Sequence, residues 1–248
     1  FVKPSDWEQA FEEWRKLMHL FAVAVGLPQT SVHELEVEEK DRAHYSKRTI
    51  DFEFDYPFGR RELWGLAYRT DFDLSAHANA SGTELSYIDE ETNEKYIPHV
   101  IEPSLGVDRT ILAILTSAYR EDKLGGETRT YLALSPKIAP IKAAVFPLLK
   151  NKPELVKKAR EVYSSLKSLV SGVQFDDNGN IGKRYRRQDE IGTVVAVTVD
   201  FETLDNDTVT LRDRDSGKQI RVKISRLIET VSDIIDGKLF SELPKEIK

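Results

Sequence analysis

Residues 50–68 read IDFEFDYPFGRRELWGLAY, and this stretch decides the fold class. Apolar and aromatic side chains stand at the even positions of 50–56, with acidic residues between them. A period of two predicts a β-strand with one buried face. Gly59 supplies a turn, and residues 62–68 return as a second strand. The stretch therefore predicts an antiparallel hairpin.

A helix is predicted before this hairpin. Apolar and aromatic residues recur at helical spacing over residues 7–25, and Gly26 with Pro28 marks the end of the repeat. Ser5 and Glu8 have the spacing of a capping box. We therefore expect an amphipathic helix with its aromatic stripe against the sheet.

More strands and a helix follow. A second hairpin is predicted with strands near residues 85–88 and 96–101. Close to Glu102 the pattern changes from strand to helix, and a helix with one apolar face is predicted over residues 107–118. Gly125 and Gly126 are expected to break it. Adjacent antiparallel strands with little helix between them are typical of an α+β domain.

The two prolines within residues 135–140 indicate a link to a second domain, so we expect domains at 1–139 and 140–248. The apolar run at 143–149 predicts a strand buried on both faces. The remaining elements predict an α/β unit with a mixed sheet: a helix from Pro153, a strand at 173–175, a charged helix at 181–191, a strand at 193–199, a hairpin of 207–212 and 219–224, and a helix at 225–236.

Composition narrows the function classes. The 248 residues include no cysteine, which excludes disulfides, thiolate zinc sites and cysteine nucleophiles and fits a cytoplasmic protein. No apolar run approaches the ~20 residues of a membrane span. The net charge of −6 argues against a protein that coats a polyanion, so any RNA contact must be local. The sequence also has no phosphate loop, dinucleotide fingerprint, HxxxH pair or GxSxG elbow.

The strongest local signal is IEPSLGVDR at residues 101–109. Glu102 could hold an ammonium group, and Arg109 could hold an anionic or planar group. Glycine at 106 lets a ligand approach the backbone. The alternative is an ordinary helix entry in which Glu102 or Asp108 forms a salt bridge with a neighbouring arginine.

The segment EPSLGVDR resembles motif 3 of the class II aminoacyl-tRNA synthetases, in the form found in glycyl-tRNA synthetases of the α2 type. RRELWGLAYRTDFDL at 60–74 resembles a glutamate-bearing strand of the same family. In the second domain, resemblance to the family's anticodon-binding domain lies in three runs: NIGKRYRRQDEIGT at 180–193, VTVDFETL at 197–204 and TVTLRDRDS at 208–216. Matching segments occur in order from about Phe1 to Arg226.

The resemblance implies roles for individual residues. It places Glu102 and Arg109 in catalysis. The implied glycine pocket consists of Glu102, Pro103, Ser104, Leu105 and Gly106, and the implied ATP contacts are Glu62, Leu63, Gly106, Val107, Asp108 and Arg109. Leu105 departs from the smaller residue expected there, and it either crowds the pocket or points into the core. Arg69, Asp71 and Asp73 either support the site or form an internal ion-pair cluster.

The resemblance also gives the second domain an anticodon role. Lys183, Arg184, Arg186 and Arg187 surround Tyr185, a combination that suits phosphate contact and base stacking. The alternative is a solvated helix face.

The implied parent protein is a glycine–tRNA ligase that uses ATP with Mg²⁺, glycine and glycine tRNA, acts as a homodimer in the cytoplasm and has no membrane span. Motifs 1 and 2 are expected before Phe1, so we expect the 248-residue chain to be inactive alone. A non-catalytic, nucleic-acid-binding accessory protein is the alternative, but the intact Glu102, Ser104, Gly106 and Arg109 favour the enzyme.

Overall fold

The computed structural model describes residues 1–244 and the backbone of residues 246 and 247. The chain forms two compact units, Phe1–Ser117 and Ala118–Lys248. The elements from the N-terminus through the unit boundary are α1 Trp7–Ala24, β1 Val32–Glu36, β2 Arg48–Tyr56, β3 Gly59–Thr70, α2 Phe72–Ser81, β4 Tyr87–Ile88, β5 Lys95–Tyr96, β6 Val100–Leu105 and α3 Val107–Ala118.

The elements that follow are β7 Tyr119–Leu124, β8 Glu127–Leu132, β9 Ala143–Pro147, α4 Pro153–Leu169, β10 Val173–Phe175, α5 Ile181–Glu190, β11 Val195–Val199, α6 Phe201–Asn206, β12 Thr208–Asp213, β13 Gln219–Lys223, α7 Ile224–Ile235 and β14 Glu246–Ile247. No helix of the described residues is long and apolar enough to cross a membrane.

The first unit is built on an antiparallel sheet with the strand order β1-β2-β3-β6. The predicted alternation in β2 is confirmed, because Ile50, Phe52 and Phe54 are all buried. They pack in one core with Phe11 of α1 and Trp64 of β3. Burial of these large apolar side chains, each contributing about 1.5–3 kcal/mol, holds α1 on one face of the sheet.

The opposite face of the sheet carries two rows of side chains. In one row Asp51 of β2 pairs with Gly65 of β3, which pairs with Ser104 of β6. In the next row Thr49 pairs with Ala67, which pairs with Glu102. The central strand therefore contributes only small residues between polar side chains, which leaves a hollow.

Two details of α1 differ from prediction. The capping box is wrong: Asp6 is the N-cap residue and makes no side-chain capping bond, while the hydroxyl of Ser5 donates to its carboxylate at 2.6 Å. The helical stripe is only partly right. Phe11 and Met18 are buried, whereas Trp14 and Phe21 are substantially exposed.

The predicted change from strand to helix at Glu102 comes too early. Strand β6 continues through Pro103 to Leu105, and α3 begins at Val107. Pro103 is tolerated because β6 is an edge strand, where a missing N–H removes no ladder bond. In α3, Ala113 is fully buried while Ile111 is about half exposed.

The second unit contains a mixed sheet with the strand order β10-β9-β11-β12-β13-β14. Strands β10, β9 and β11 run parallel, and β11, β12 and β13 are antiparallel. Every residue of β9 and β11 is buried, as their continuous apolar runs predict. The α+β class with a second, mixed sheet is confirmed. Beyond the predicted strand at 193–199, residues 201–206 form α6, which Asp200 and Thr203 cap reciprocally.

The hairpin β7–β8 was not predicted from the sequence. Gly125 and Gly126 do not break a helix; they form the two-residue turn between Leu124 and Glu127. Their φ angles are +63° and +87°, which glycine adopts at low cost and tight hairpin turns require. The hairpin lies in the second compact unit, whereas the predicted boundary at 139/140 assigns it to the first domain. That domain assignment stays a prediction.

Candidate functional site

The hollow on the open face of the first sheet is a cavity of about 340 Å³, here called the sheet cavity. Glu62, Glu102 and Ser104, all predicted site residues, line it together. Gly65 and Ala67 form its floor, because they lie between the polar side chains of the two rows. The sheet cavity is therefore rich in carboxylates and has small residues at its base.

Arg69 holds Glu102 in place. Its Nη1 donates to Oε2 of Glu102 at 2.8 Å, while its Nε and Nη2 donate to both carboxylate oxygens of Asp73 at 2.7 Å. The guanidinium also lies 3.8 Å from the ring centroid of Tyr45. The hydrogen bonds to Asp73, and after them the bond to Glu102, raise the pKa of Arg69. In return, Arg69 lowers the pKa of Asp73. Arg69 and Asp73 thus form an ion-pair cluster with Glu102, whereas Asp71 instead accepts from the hydroxyl of Ser75 at 2.7 Å.

Asp51 is a residue of the sheet cavity that sequence reasoning missed. Its side chain is partly buried and has no hydrogen-bond or ion-pair partner among the described residues. Burial, then the charges of Glu62 and Glu53, raises the pKa of its carboxyl. An unpaired carboxylate at such a position is a good ligand for a cation. The alternation in β2 put Asp51 on the open face, but only the strand register places it opposite Ser104.

A second cavity, of about 400 Å³, is here called the aromatic cavity. Its lining residues are Tyr56, Phe58, Arg61, Glu62, Arg109 and Leu112. Arg109 Nη1 lies 3.1 Å from Oε2 of Glu62 and donates to the Glu62 carbonyl at 3.3 Å. The Phe58 ring is exposed and stacks on Tyr56, with centroids 5.1 Å apart and an angle of 7°. Glu62 belongs to both cavities and joins them.

The other predicted site residues do not line these cavities. Leu63 is buried in the core, which puts its side chain away from both. Leu105 is 41% exposed and Val107 is 71% exposed, so Leu105 neither crowds the sheet cavity nor points into the core. Pro103, Gly106 and Asp108 are not among the lining residues either. Of these residues, Gly106 has a clear local role, because its carbonyl accepts from the hydroxyl of Thr110 at 2.7 Å.

The second unit contains a larger cavity of about 920 Å³, here called the α5 cavity. Lys183, Arg186 and Arg187 line it from α5. Helix α5 begins at Asn180, whose side chain accepts from the Lys183 N–H at 2.9 Å. This cap fixes the first turn and sets which basic side chains face outward.

Arg184 does not face the α5 cavity. It is 1% exposed, and its guanidinium donates to the carbonyls of Pro147, Asp177 at 3.1 Å and Gly179 at 2.7 Å. Burial lowers its pKa. Arg184 therefore ties the end of β9 to the loop before α5, and this placement argues against an RNA contact.

The remaining cations are more accessible. Lys183 is exposed and forms no ion pair within the described part of the chain. Arg186 pairs with Glu127 at 3.1 Å, and Arg187 pairs with Asp176 at 2.6 Å. Tyr185 between them is largely inside: its hydroxyl lies 2.7 Å from that of Thr198, and burial raises its pKa. The Arg212 guanidinium covers its ring, with Cζ 4.7 Å from the ring centroid.

Comparison with known proteins extends these observations. Residues 142–234 match the family model of the anticodon binding domain. The chain is 49% identical to a glycine–tRNA ligase of Clostridium tetani over 237 residues, which cover 95% of the chain and 50% of that protein. It is 48% identical to that of Clostridium acetobutylicum over 228 residues and 45% identical to that of Bacillus cereus over 227 residues, covering 92% of the chain each time.

The chain spans about half the length of these curated relatives, with 48% of the Clostridium acetobutylicum protein and 49% of the Bacillus cereus protein covered. The similarity includes both the unit with the sheet cavity and the anticodon binding domain. The resemblance of motif 3 to the glycyl-tRNA synthetases is thereby confirmed. The chain is a homologue of the glycine–tRNA ligases over about half of their length and carries an anticodon binding domain.

Proposed function

We propose that this chain supplies the glycine and adenine walls of the aminoacyl-adenylate site, and the anticodon surface, of a glycine–tRNA ligase. The observation that carries the proposal is the sheet cavity, in which Glu62, Glu102 and Ser104 meet over a floor of Gly65 and Ala67. These polar groups come from two neighbouring strands, so the fold and not chance proximity brings them together. Similarity to glycine–tRNA ligases supports the same assignment.

Selection of glycine is a problem of exclusion, and the sheet cavity suits it. A carboxylate such as Glu102 takes the substrate ammonium through a charge-assisted hydrogen bond. Arg69 keeps that carboxylate oriented. A larger amino acid would bring its side chain against the backbone rows of β3 and β6. The site therefore recognises the ammonium group through a carboxylate that Arg69 holds.

The aromatic cavity suits the adenine end of ATP. Arg109 offers a planar guanidinium for stacking or for phosphate contact. Its ion pair with Glu62 is about half exposed on both sides, so it contributes little to stability and can exchange for a ligand. Because Glu62 borders both cavities, it stands where the amino acid and the nucleotide would meet.

Amino-acid activation joins two anionic groups, the glycine carboxylate and the α-phosphate of ATP. Cations are needed to offset their repulsion and the charge that develops. Arg61 and Arg109 are the cations that line the aromatic cavity. Mg²⁺ would come with ATP, and no described group of three His, Asp or Glu residues could hold a metal ion. No residue of this chain is therefore assigned to Mg²⁺.

Lys183, Arg186 and Arg187 are the proposed anticodon-side contacts, since they line the α5 cavity. The proposal includes a cytoplasmic location, because a ligase of this class acts beside the translation machinery. It also includes formation of a homodimer by the complete enzyme. Motifs 1 and 2 of the family are not found in this sequence. We therefore propose that the 248-residue chain alone does not activate glycine.

The test compares the chain alone with the chain joined to the segment that carries motifs 1 and 2 in the family. We expect glycine-dependent exchange of pyrophosphate into ATP only for the joined protein, and binding of glycine tRNA by both. Exchange by the chain alone would contradict the assignment of half a site. A joined protein that binds the tRNA without any exchange would favour the accessory function.

A further inference from the structure

The tip of the β7–β8 hairpin and helix α5 face each other across the α5 cavity. Leu124 and Glu127 line it from the hairpin, while Lys183 and Arg186 line it from the helix. One wall of this cavity thus consists of a hairpin that the sequence motifs did not single out. The hairpin is positioned to act on whatever the cavity binds.

Arg186 carries a buried hydrogen-bond donor that no described residue satisfies. Its Nη2 donates to Oε2 of Glu127 at 3.1 Å, but its Nη1 is buried and has no partner among the described residues. A buried donor without an acceptor bears its full desolvation cost. Such groups are rare in native proteins and need an explanation. An acceptor brought by a ligand would satisfy Nη1.

The body of the hairpin is firmly anchored. Arg129 is buried and donates to the carboxylate of Asp189 at 3.0 Å and to the carbonyls of Arg214 and Asp215 at 2.6 and 2.7 Å. The turn at Gly217 packs so closely on the hairpin that an added Cβ would lie 2.8 Å from a methyl carbon of Leu124. The position of the hairpin beside α5 is therefore fixed by buried contacts.

The tip itself is open. A Cβ at Gly125 or Gly126 would meet no atom within 4 Å. Glu127 follows this turn, and its side chain is 81% exposed. Glu127 can therefore release Arg186 without disturbing the contacts of Arg129.

We propose that the α5 cavity binds a phosphate group of single-stranded RNA, that Arg186 donates to it, and that Glu127 is the counter-ion the phosphate displaces. The inference rests on the proposed tRNA-binding function. It adds the β7–β8 hairpin, whose Glu127 carboxylate competes with the phosphate for Arg186. A phosphate offers several acceptor oxygens, so it can take both Nη1 and Nη2 of one guanidinium. Lys183 on the same wall provides a second cation.

The proposal predicts opposite effects of two substitutions on the affinity of the full 248-residue chain for the anticodon stem–loop of glycine tRNA. Arg186→Ala should weaken binding about tenfold, as expected for one charge-assisted hydrogen-bond contact. It should also reduce the slope of log K against log salt by about 0.7, the value for one single-strand phosphate. Glu127→Gln should tighten binding, because Arg186 loses its competitor.

Arg226→Ala is the matched control, since Arg226 is also a helical arginine that pairs with a glutamate, Glu229 at 2.9 Å. The Arg226→Ala variant should bind the stem–loop with the same affinity, and the same slope of log K against log salt, as the unaltered chain. Glu127→Gln alters an exposed side chain, so it tests the proposal even if Arg186→Ala does not fold. If the unaltered chain binds but Glu127→Gln fails to tighten binding, the inference is wrong. If the unaltered chain binds no tRNA, the proposed function fails first and this inference falls with it.

Discussion

Asp51 on β2 and Ser104 on β6 lie in one row across the sheet, with only Gly65 of β3 between them. This relationship sets the width of the sheet cavity. The carboxylate of Asp51 lies on one side and the hydroxyl of Ser104 on the other, and Gly65 between them has no side chain. The proposed glycine site can therefore be tested by substitution at these three positions.

Gly65→Ala should separate recognition from folding. An added Cβ would lie 4.0 Å from Oδ1 of Asp51, an ordinary van der Waals distance, so it enters the cavity without strain. We expect the free energy of unfolding to change by less than about 1 kcal/mol. In the joined protein, the KM for glycine should rise, because the methyl group occupies substrate space. Urea denaturation and pyrophosphate exchange measure the two effects, and an unchanged KM would contradict the floor assignment.

Asp51→Asn should raise stability and weaken glycine binding together. The pKa of Asp51 is raised by burial and by neighbouring carboxylates, so its ionised form destabilises the folded chain. That penalty is absent below the unfolded pKa and develops as pH rises through the folded pKa. The variant should therefore unfold at higher urea concentration than the parent at pH 7, and the difference should vanish in acid. A loss of stability at pH 7 would show that Asp51 has a partner that stabilises it.

Arg184→Ala and Lys183→Ala should behave very differently, although the residues are adjacent. Removal of the Arg184 guanidinium leaves the buried carbonyls of Pro147, Asp177 and Gly179 without their donor. We expect a loss of about 3 kcal/mol or more in the free energy of unfolding. Lys183→Ala should change stability by less than about 0.5 kcal/mol but reduce tRNA affinity. Equal stability of the two variants would contradict the structural role of Arg184.

Strands β2 and β3 of the first sheet could be predicted because buried apolar residues alternate with polar ones along the sequence, as at Ile50, Phe52 and Phe54. The length of β6 could not, because tolerance of Pro103 depends on its place at the sheet edge. That place is fixed by residues far away in the sequence. The same reason explains the hairpin β7–β8, whose Gly125-Gly126 turn looks locally like a helix terminator.

The candidate sites show a similar division. Motif 3 identified Glu102, Ser104 and Arg109, since their order in the sequence is itself the signal. Asp51 escaped notice because its importance depends on the register across Gly65. In α5, four basic residues look alike in the sequence. Only the carbonyls of β9 and the following loop distinguish the buried Arg184 from its neighbours.

The central claim is that Glu102, held by Arg69, receives the glycine ammonium. Its most direct test is glycine-dependent pyrophosphate exchange by the joined protein carrying Glu102→Gln, with Glu36→Gln as a control whose carboxylate pairs with Arg48. The account predicts that Glu102→Gln loses at least about tenfold in kcat/KM for glycine, as for one charged hydrogen bond, while Glu36→Gln retains full activity. Full activity of Glu102→Gln would contradict the account.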